Sequence, residues 1–499
     1  SVYGWLSGRV WEADLRQLKG PERVLIFVAR ILHMLFRELL GGQLNLRAMS
    51  LVYTTLLSVA PLLAVSFSVL KGFDVHSRFE PAIYDFFSPL GPKGAEITDK
   101  MEAMFAVGHE VGAVARSLYG TPESVEIPFD RKTSRMVEGT REILASGAHF
   151  PIFEATFEYD GILVRADVLI PSGDGWRLVE VKASTSVKDY HVLDCAIQEW
   201  VLRNAGISLT SIRLAHINNQ FVYAGDGNYD GLLLEHDLTD EVKSVDPRVE
   251  DLIAKAREAI SGGMPNVPVG AHCNKPYDCA FQNHCWPGDS EYPIAGLKGN
   301  KALLGRYVAE GYCDIRDVPA DEITAETQMR IHHVTCEGKP EVCEGAGRIL
   351  SELPYPRYYL DFETIGPAVP IWAGTRPYDK IPVQWSCHID DGTADDRYEN
   401  MRHEEFLDLS GNPPMRALAE SLVEVLGDSG PVLMYTNYEE QVIRNLIEMF
   451  PDLKRDLEKI ILRLFDLHPV VKDNYYHPDM LGSWSIKAVL PTINAEMDY

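Results

Sequence analysis

Two runs of alternating apolar and polar residues flank a glycine-containing turn in the segment GILVRADVLIPSGDGWRLVEVK (161–182). A period of two is typical of a strand with one buried face, and a turn such as PSGDG joins two strands into an antiparallel hairpin. We therefore expect strands over 162–170 and 176–182. The next segment, HVLDCAIQEWVL (191–202), has the apolar spacing of a helix face, so this part of the chain is predicted to be α/β.

The hairpin is predicted to bring two carboxylates and an amine to one place. Folding about Gly173 sets Asp167 opposite residue 179 and next to Glu180, and Glu180 shares a strand face with Lys182. Carboxylate oxygens suit Mg²⁺ or Mn²⁺, and such an ion can activate water and stabilise charge on a phosphate. Lys182 could orient that water or the phosphate. The same spacing is also compatible with a solvated ion pair.

Two neighbouring segments favour the catalytic interpretation. Gln198 lies on the apolar face of the predicted helix, and FAVGHEVGAVARSLY (105–119) places His109 at a predicted helix start, as a third metal ligand or a structural histidine. Together these residues resemble the RecB-type PD-(D/E)XK nucleases, which have a restriction-endonuclease-like core. The resemblance implies a site formed by His109, Asp167, Glu180, Lys182 and Gln198, with Trp200 in the place of an aromatic that often follows the glutamine.

Three cysteines have the spacing C-x5-C-x5-C within AHCNKPYDCAFQNHCW (271–286), namely Cys273, Cys279 and Cys285. Thiolates favour an iron–sulfur cluster or zinc, and a segment without metal is the third alternative. The eight cysteines of the chain are unevenly spaced, so they do not describe a disulfide scaffold.

The cysteine run resembles that of RecB-type nucleases with a 4Fe–4S cluster, in which three such cysteines follow the nuclease core. In that family a fourth cysteine precedes the histidine motif, whereas no cysteine precedes Cys195 in this chain. The resemblance therefore implies either a substitute ligand from Cys195, His272 or His284, or an incomplete site.

A D-x-E motif, Asp361 and Glu363, closes the apolar strand YYLDFE. Farther along, PVLMYTNYEEQVIRNL predicts a buried strand leading into a helix, with Glu439 at the turn, and Asp466 follows the apolar run LRLF. Carboxylates gathered from several elements are typical of sites that hold two Mg²⁺ ions. Exposed surface charge is the alternative for the D-x-E pair.

Residues 354–499 as a whole resemble the DEDD, RNase H-like exonuclease domains that are fused behind RecB-like nucleases, as far as the run SWSIKAVLPTI. That family continues with more helices and a final aspartate. The final aspartate has no clear counterpart in this chain, and Asp473 and Asp479 are the candidates. We therefore expect this module to be inactive as an exonuclease.

The first hundred residues differ from the rest. The 23 residues between Arg47 and Lys71 carry no charge, which is long enough for a membrane span over 48–70, with a buried core helix as the alternative. The segment 24–40 has the pattern of an amphipathic helix that lies on a membrane or packs on protein. The run LNLRAMSLVYTTLLSVAPLLAVSFSVLKGF, followed by FFSPLGPKGAEITD, resembles the start of the YihY/ribonuclease BN-like inner-membrane family.

Charge divides the chain at the same place. Lys and Arg number 47 and Asp and Glu number 73, a net charge of −26, of which residues 1–100 hold 11 and 9. So acidic a chain does not coat nucleic acid by charge alone, although carboxylate-held metal sites use many acidic residues. The shift suggests two regions of different origin.

Four regions are expected: a YihY-like helical segment (1–100), a RecB-like nuclease with its cysteine cluster (101–290), a helical connector (291–353) and the truncated exonuclease-type domain (354–499). The predicted activity is metal-dependent hydrolysis of nucleic acid, with DNA as the expected substrate, in DNA repair or mobile-element defence. A catalytically incomplete nucleic-acid-binding module and an inner-membrane protein are the alternatives. No G-x-x-x-x-G-K-[ST] loop is present, so we expect no nucleotide-driven motor in this chain. The nuclease part would be cytoplasmic, with membrane association through 24–70 if that segment is genuine.

Overall fold

The computed structural model describes residues 92–275, 278–279, 281–288, 290–393 and 401–494, with the backbone alone for 92–103 and 283. The described residues up to 278 and from 285 onward form one compact unit. The predicted membrane span and the amphipathic segment, 24–70, lie outside the described residues. Within the ranges described, no helix is long and apolar enough to cross a membrane.

The described chain is a mixed α/β structure with two large sheets and a two-stranded one. The first sheet has six strands, which lie side by side in chain order. They are β1 (Val125–Glu126), β2 (Ile152–Tyr159), β3 (Ile162–Ser172), β4 (Gly175–Lys182), β5 (Leu209–Ile217) and β6 (Leu233–Asp237). The helices of this region are α1 (Pro92–Tyr119), α2 (Thr133–Ala145), α3 (Asp189–Asn204) and α4 (Thr239–Ser261).

Strands β2, β3 and β4 form an antiparallel meander, whereas β4 and β5 are parallel and are joined through α3. A tight turn cannot connect parallel neighbours, which is why the helix lies between them. Leu178 packs in the core beneath α3, and Val179 and Val181 pack in a second core on the opposite face, with α1. Alternation along β4 therefore turns Glu180 and Lys182 towards α3.

The predicted hairpin is confirmed, with a difference of one position in its register. The two-residue turn begins at Gly173, whose φ of 57° is a conformation that glycine adopts without a steric cost. Because the turn is centred after Gly173, Val168 pairs with Val179, where Asp167 was expected. Asp167 lies one position farther on, beside Glu180.

The helix that contains His109 is longer than predicted. The sequence predicts a helix start at His109, whereas α1 begins at Pro92 and continues through His109 to Tyr119. The first turn of α1 lacks the apolar periodicity used for the prediction, but proline is favoured at a helix start because its fixed φ suits the first turn. His109 is therefore a mid-helix residue.

The second sheet has five strands in the order β10–β9–β8–β11–β12. They are β8 (Arg357–Ile365), β9 (Ile381–Asp390), β10 (Arg402–Leu407), β11 (Val432–Met434) and β12 (Leu464–Asp466). Strands β8, β9 and β10 are antiparallel, and β8, β11 and β12 are parallel. The helices of this region are α9 (Met415–Leu426), α10 (Tyr438–Met449), α11 (Lys454–Ile461), α12 (Leu467–Asn474) and α13 (Ile486–Ile493).

The described part of the segment between the two sheets is mostly helical. It contains α5 (Gln282–Cys285), α6 (Lys301–Ala309), α7 (Glu326–Glu337) and α8 (Gly345–Ser351), with β7 (Glu341–Val342) paired to β13 (Tyr475–Tyr476). Its own apolar core contains Leu304 and Ile331 together with Tyr476 and Trp484 from the end of the chain. The connector and the last described residues therefore fold together.

Candidate active site

Four polar side chains form one network between β4 and α3. Lys182 Nζ donates to Glu180 Oε1 at 2.6 Å and to Asp194 Oδ2 at 2.5 Å. Gln198 Nε2 donates to Glu180 Oε2 at 2.8 Å. Glu180 is 4% exposed, Gln198 5% and Lys182 8%, so the network is almost entirely removed from water. Buried charges are tolerated when they are paired and hydrogen-bonded, as these are.

Asp167 reaches this network from the neighbouring strand. Its Oδ2 accepts a hydrogen bond from the backbone N–H of Val181 at 2.7 Å. Opposite Asp167 on β2, Glu154 has a φ of 59° and pairs with Arg165 at 3.1 Å. A non-glycine residue in this region costs roughly 1–3 kcal/mol and is found most often at functional sites.

The electrostatic environment holds the lysine as a cation. Burial and the charge of Asp167 raise the pKa of Glu180 to about 8, against the opposing effect of Lys182. Burial alone would lower the pKa of Lys182, but the nearby carboxylates, Glu180 and Asp194 foremost, outweigh burial and raise that pKa well above its usual range. Three carboxylates around one ammonium leave a negative excess, which a divalent cation would offset.

The residues present suit a hard divalent cation. Asp167 and Glu180 supply carboxylate oxygens, and the buried Oε1 of Gln198 has no hydrogen-bond partner. Within the part of the chain that the structure describes, no group of three or more His, Cys, Asp or Glu side chains is arranged to hold a metal ion. Mg²⁺ commonly takes only one or two protein carboxylates and completes its shell with water and substrate phosphate. The donor set therefore fits Mg²⁺ or Mn²⁺ bound together with substrate.

Asp194 is the member of the network that sequence reasoning did not identify. It lies one helical turn before Gln198 on α3, so the two side chains share a face of that helix. The sequence HVLDCAIQ places Asp194 four residues before Gln198, and this spacing could have indicated that the two share a helix face. Without the knowledge that α3 crosses over β4, nothing in the sequence connects Asp194 with Lys182.

Two of the remaining sequence-predicted residues, Trp200 and Cys195, lie in packing positions. Trp200 is buried in the first core and contacts Tyr159 edge-on, with ring centroids 5.1 Å apart. Cys195 is fully buried in the same core. His109 is half-buried in α1, the helix that packs Val111 in the core on the other face of the sheet.

Among the described residues, no group of His, Cys, Asp or Glu side chains that could hold a metal ion includes the predicted cysteines. Cys273 is buried in a short 3-10 helix, where its Sγ accepts from the N–H of Gly270 at 3.4 Å and lies 3.9 Å from His272 Nε2. Cys285 is exposed, and Cys279 is half-buried. His284 lies within α5.

The second sheet brings acidic residues to the carboxyl ends of its parallel strands. Asp361 and Glu363 are exposed on β8, and Glu439 is buried in the first turn of α10, as the strand-to-helix pattern predicts. Burial first, then the charges of Asp361 and Asp466, raise the pKa of Glu439 to about 7. Glu439 Oε2 is buried without a hydrogen-bond partner. Three of the four predicted carboxylates are thus electrostatically coupled.

Asp466 is already engaged by the backbone. Its Oδ1 accepts from the N–H of Thr436 at 2.8 Å and from the N–H of His468 at 2.9 Å, which caps α12. The candidates for a final carboxylate are both exposed: Asp473 lies near the end of α12, and Asp479 lies 3.6 Å from His477 Nδ1. Neither is among the charges that act on Glu439.

Matches were found in two comparisons with known proteins. A family model described as a domain of unknown function, DUF2779, matches residues 358–485, which contain the second sheet and its acidic residues. A solved structure described as "Crystal structure of SSO0001" is 17% identical, over 30% of this chain and 67% of that one, with a TM-score of 0.16. A likeness at this level carries no argument about fold or function.

Proposed function

We propose that the chain is a metal-dependent nuclease whose active site lies between β3, β4 and α3. The observation that carries the proposal is the buried network in which Glu180 is held by Lys182 and by Gln198, beside Asp167. When bound, Mg²⁺ or Mn²⁺ would supply Lewis-acid activation of water and charge stabilisation at phosphorus. Residues Asp167 and Glu180 would hold the ion.

The chain's own residues have distinct parts in this proposal. Lys182 is a cation that is held in place by its hydrogen bond to Glu180. There it can orient a water molecule or neutralise a phosphate oxygen. Gln198 holds Glu180 through its amide N–H and leaves its Oε1 free to accept from a water molecule. The burial of the network excludes bulk water, which strengthens each of these interactions.

The strand arrangements support the family resemblances. In the first sheet a hairpin carrying Asp167 and Glu180 is followed by a crossover helix carrying Gln198, as in the RecB-type PD-(D/E)XK nucleases. In the second sheet three antiparallel strands precede two parallel ones in the order 3-2-1-4-5, an arrangement that supports the RNase H-like resemblance. Nucleic acid, with DNA as the first substrate to test, is the proposed ligand of both.

The replacement of Glu180 by alanine tests the proposal. Glu180→Ala should abolish cleavage of linear DNA in Mg²⁺ or Mn²⁺, because it removes one of the two carboxylate ligands and the hydrogen-bond partner of Lys182. We expect a loss of roughly a hundredfold or more in kcat, as for removal of a central electrostatic group. Glu158→Ala, which changes an exposed glutamate on β2 of the same sheet, is the matched control and should keep full activity.

A second candidate, nucleic-acid binding without cleavage, is favoured by one observation. Lys182 already pairs with both Glu180 and Asp194, so one cation partly offsets the charge of these carboxylates in the absence of a metal ion. Under this alternative, purified wild-type protein binds DNA but shows no metal-dependent cleavage. Equal cleavage by wild type and Glu180→Ala, with both folded by circular dichroism, would contradict the nuclease proposal at this site.

A further inference from the structure

A loop of the second sheet's region is anchored on the first sheet's region. Residues 366–380, the anchor loop, connect β8 to β9. Its apolar residues Ala368 and Val369 are buried in the same core as Val181 and Ala215. The loop is thus part of the packing of the first sheet.

Backbone hydrogen bonds fix the position of the anchor loop. The N–H of Tyr223 donates to the carbonyl oxygen of Thr375 at 3.0 Å, and the N–H of Gly374 donates back to Tyr223 at 2.8 Å. Tyr378 donates its hydroxyl hydrogen to the carbonyl oxygen of Ala183, the residue that follows Lys182. At Gly225, with φ 88°, an added Cβ would lie 2.8 Å from the Cβ of Ala373, so the approach is close enough to require glycine.

The anchored loop closes one side of a polar cleft at the carboxyl ends of β4 and β5. The cleft has a volume of about 630 Å³ and is lined by Ala183, Lys188, Asn219, Gln220, Arg376 and Tyr378, among others. This volume falls within the roughly 300–1,000 Å³ typical of ligand sites. The cleft begins one residue beyond Lys182, so a ligand that fills it would pass directly beside the proposed active site.

The charge of the cleft differs from that of the whole chain. Lys188 and Arg376 are exposed, and neither forms an ion pair with any residue that the structure describes. Asp379 is the acidic residue among the described lining residues, and its carboxylate accepts from the backbone N–H of Arg376 at 2.7 Å. Lys188 Nζ lies 5.8 Å from the centre of the Tyr190 ring. Two cations without an ion-pair partner among the described residues, together with amide side chains, suit phosphate oxygens in a chain whose net charge is −26.

We infer that this cleft binds the sugar–phosphate backbone of the nucleic-acid strand that the Glu180 site cuts. The inference rests on the proposed function and extends it. Arg376 belongs to the region of the second sheet (354–499), here called the second module, and yet it would contact the substrate of the Glu180 site. Lys188 binds phosphate oxygens of the strand from the residue before α3, and Arg376 binds them from the anchor loop. The second module is therefore a substrate-binding part of the first active site.

Equilibrium binding in EDTA tests the cleft apart from cleavage. The probe is a fluorescein-labelled oligothymidine of about 20 nucleotides, which has no base pairing and covers one or more typical single-strand sites. We expect Lys188→Ala and Arg376→Ala each to raise Kd roughly fivefold and to reduce the slope of log K against log salt by about 0.7, the value for one lost single-strand phosphate contact. The matched controls, Lys339→Ala and Arg348→Ala, replace exposed cations outside the cleft and should change neither quantity.

Each contrary result has a separate meaning. One such result is that Kd and salt slope stay unchanged in both cleft variants while Glu180-dependent cleavage is intact. This result would overturn strand binding by the cleft and leave the nuclease proposal in place. Weakened binding in the cleft variants, with no cleavage by wild type, would support the cleft and overturn the nuclease proposal. Equally tight binding of thymidine monophosphate would show a site for a free phosphate and would overturn binding of a strand. Circular dichroism of each variant checks that the fold is retained.

Discussion

Lys182 is shared by two carboxylates from different elements, Glu180 on its own strand and Asp194 on the crossover helix. A lysine side chain has four rotatable bonds, so a single partner would leave it free to move away from the proposed site. The second partner restrains it, which makes Asp194 a positioning residue. Its carboxylate also contributes to the raised pKa of both Glu180 and Lys182.

Replacement of Asp194 should therefore alter both rate and pH dependence. Asp194→Asn keeps the shape of the side chain but removes its charge, and we expect kcat to fall about tenfold, as for loss of an outer partner of a catalytic group. Without this negative charge the pKa of Glu180 falls and that of Lys182 falls too. Both limbs of the pH–rate profile should shift to lower pH.

The test for Asp194 is a pH–rate profile of the variant beside Glu199→Gln. Glu199 is the neighbouring acidic residue on α3 and pairs with Arg203 at 3.6 Å, away from the network. A profile for Asp194→Asn that overlies the wild-type profile, even at lower kcat, would indicate a structural role only. A shift in the Glu199→Gln profile would show that any charge on α3 has this effect.

At the scale of elements, the anchor loop depends on few polar contacts for its position. The Tyr378 hydroxyl group supplies the contact nearest to the active site, through Ala183. Tyr378→Phe should lower the free energy of unfolding by about 0.5–1.5 kcal/mol, the net value of one hydrogen bond. It should also weaken oligonucleotide binding roughly twofold, because Arg376 is then less well ordered.

Denaturant unfolding and fluorescence anisotropy measure the two effects of Tyr378→Phe. Tyr355→Phe changes a half-exposed tyrosine outside the cleft and is the matched control. Unaltered binding in a destabilised Tyr378→Phe variant would mean that the core residues Ala368 and Val369 hold the loop without this hydrogen bond.

The sequence predicts elements whose information is local and misses those that depend on distant packing. The hairpin with Glu180 and Lys182 follows from period-two alternation, and its register was wrong by one because turn length is set by the backbone of Gly173. Gln198 was found because the face of a helix repeats locally. Asp194 and Arg376 were missed because their positions depend on a crossover helix and on a loop from more than 150 residues away.

At the scale of the whole molecule, the Glu180 network and the group of carboxylates around Glu439 differ in how their side chains are held. The first has an internal cation and a closed network, whereas in the second Asp466 is used to cap α12 and Asp361 accepts from the N–H of Phe362 at 2.9 Å. Of the four predicted carboxylates in the second sheet, Glu439 has a buried oxygen without a hydrogen-bond partner among the residues described. Because two-metal catalysis needs paired bridging carboxylates, we expect this second group to contribute little to cleavage.

Asp361→Ala should therefore leave the nuclease activity of the chain unchanged within about twofold, in contrast to Glu180→Ala. The same DNA substrate and metal ion are used for both variants, and circular dichroism checks their folding. A large loss of activity in folded Asp361→Ala would show that the second centre is complete, with Asp473 or Asp479 as the missing ligand.

Ala368 and Val369 are buried in the same core as Val181, and this limits how the regions of the two sheets can be exchanged by recombination. Deletion of the second module would uncover apolar side chains on the first, and it would also remove Arg376 from the cleft. Another module could replace it only if its own loop had the same length and two small apolar residues. That loop would also need to fit closely against Gly225, as Ala373 does. Recombination should therefore preserve the two parts as one block, with exchange points before α1 and after α13 favoured over any point between the sheets.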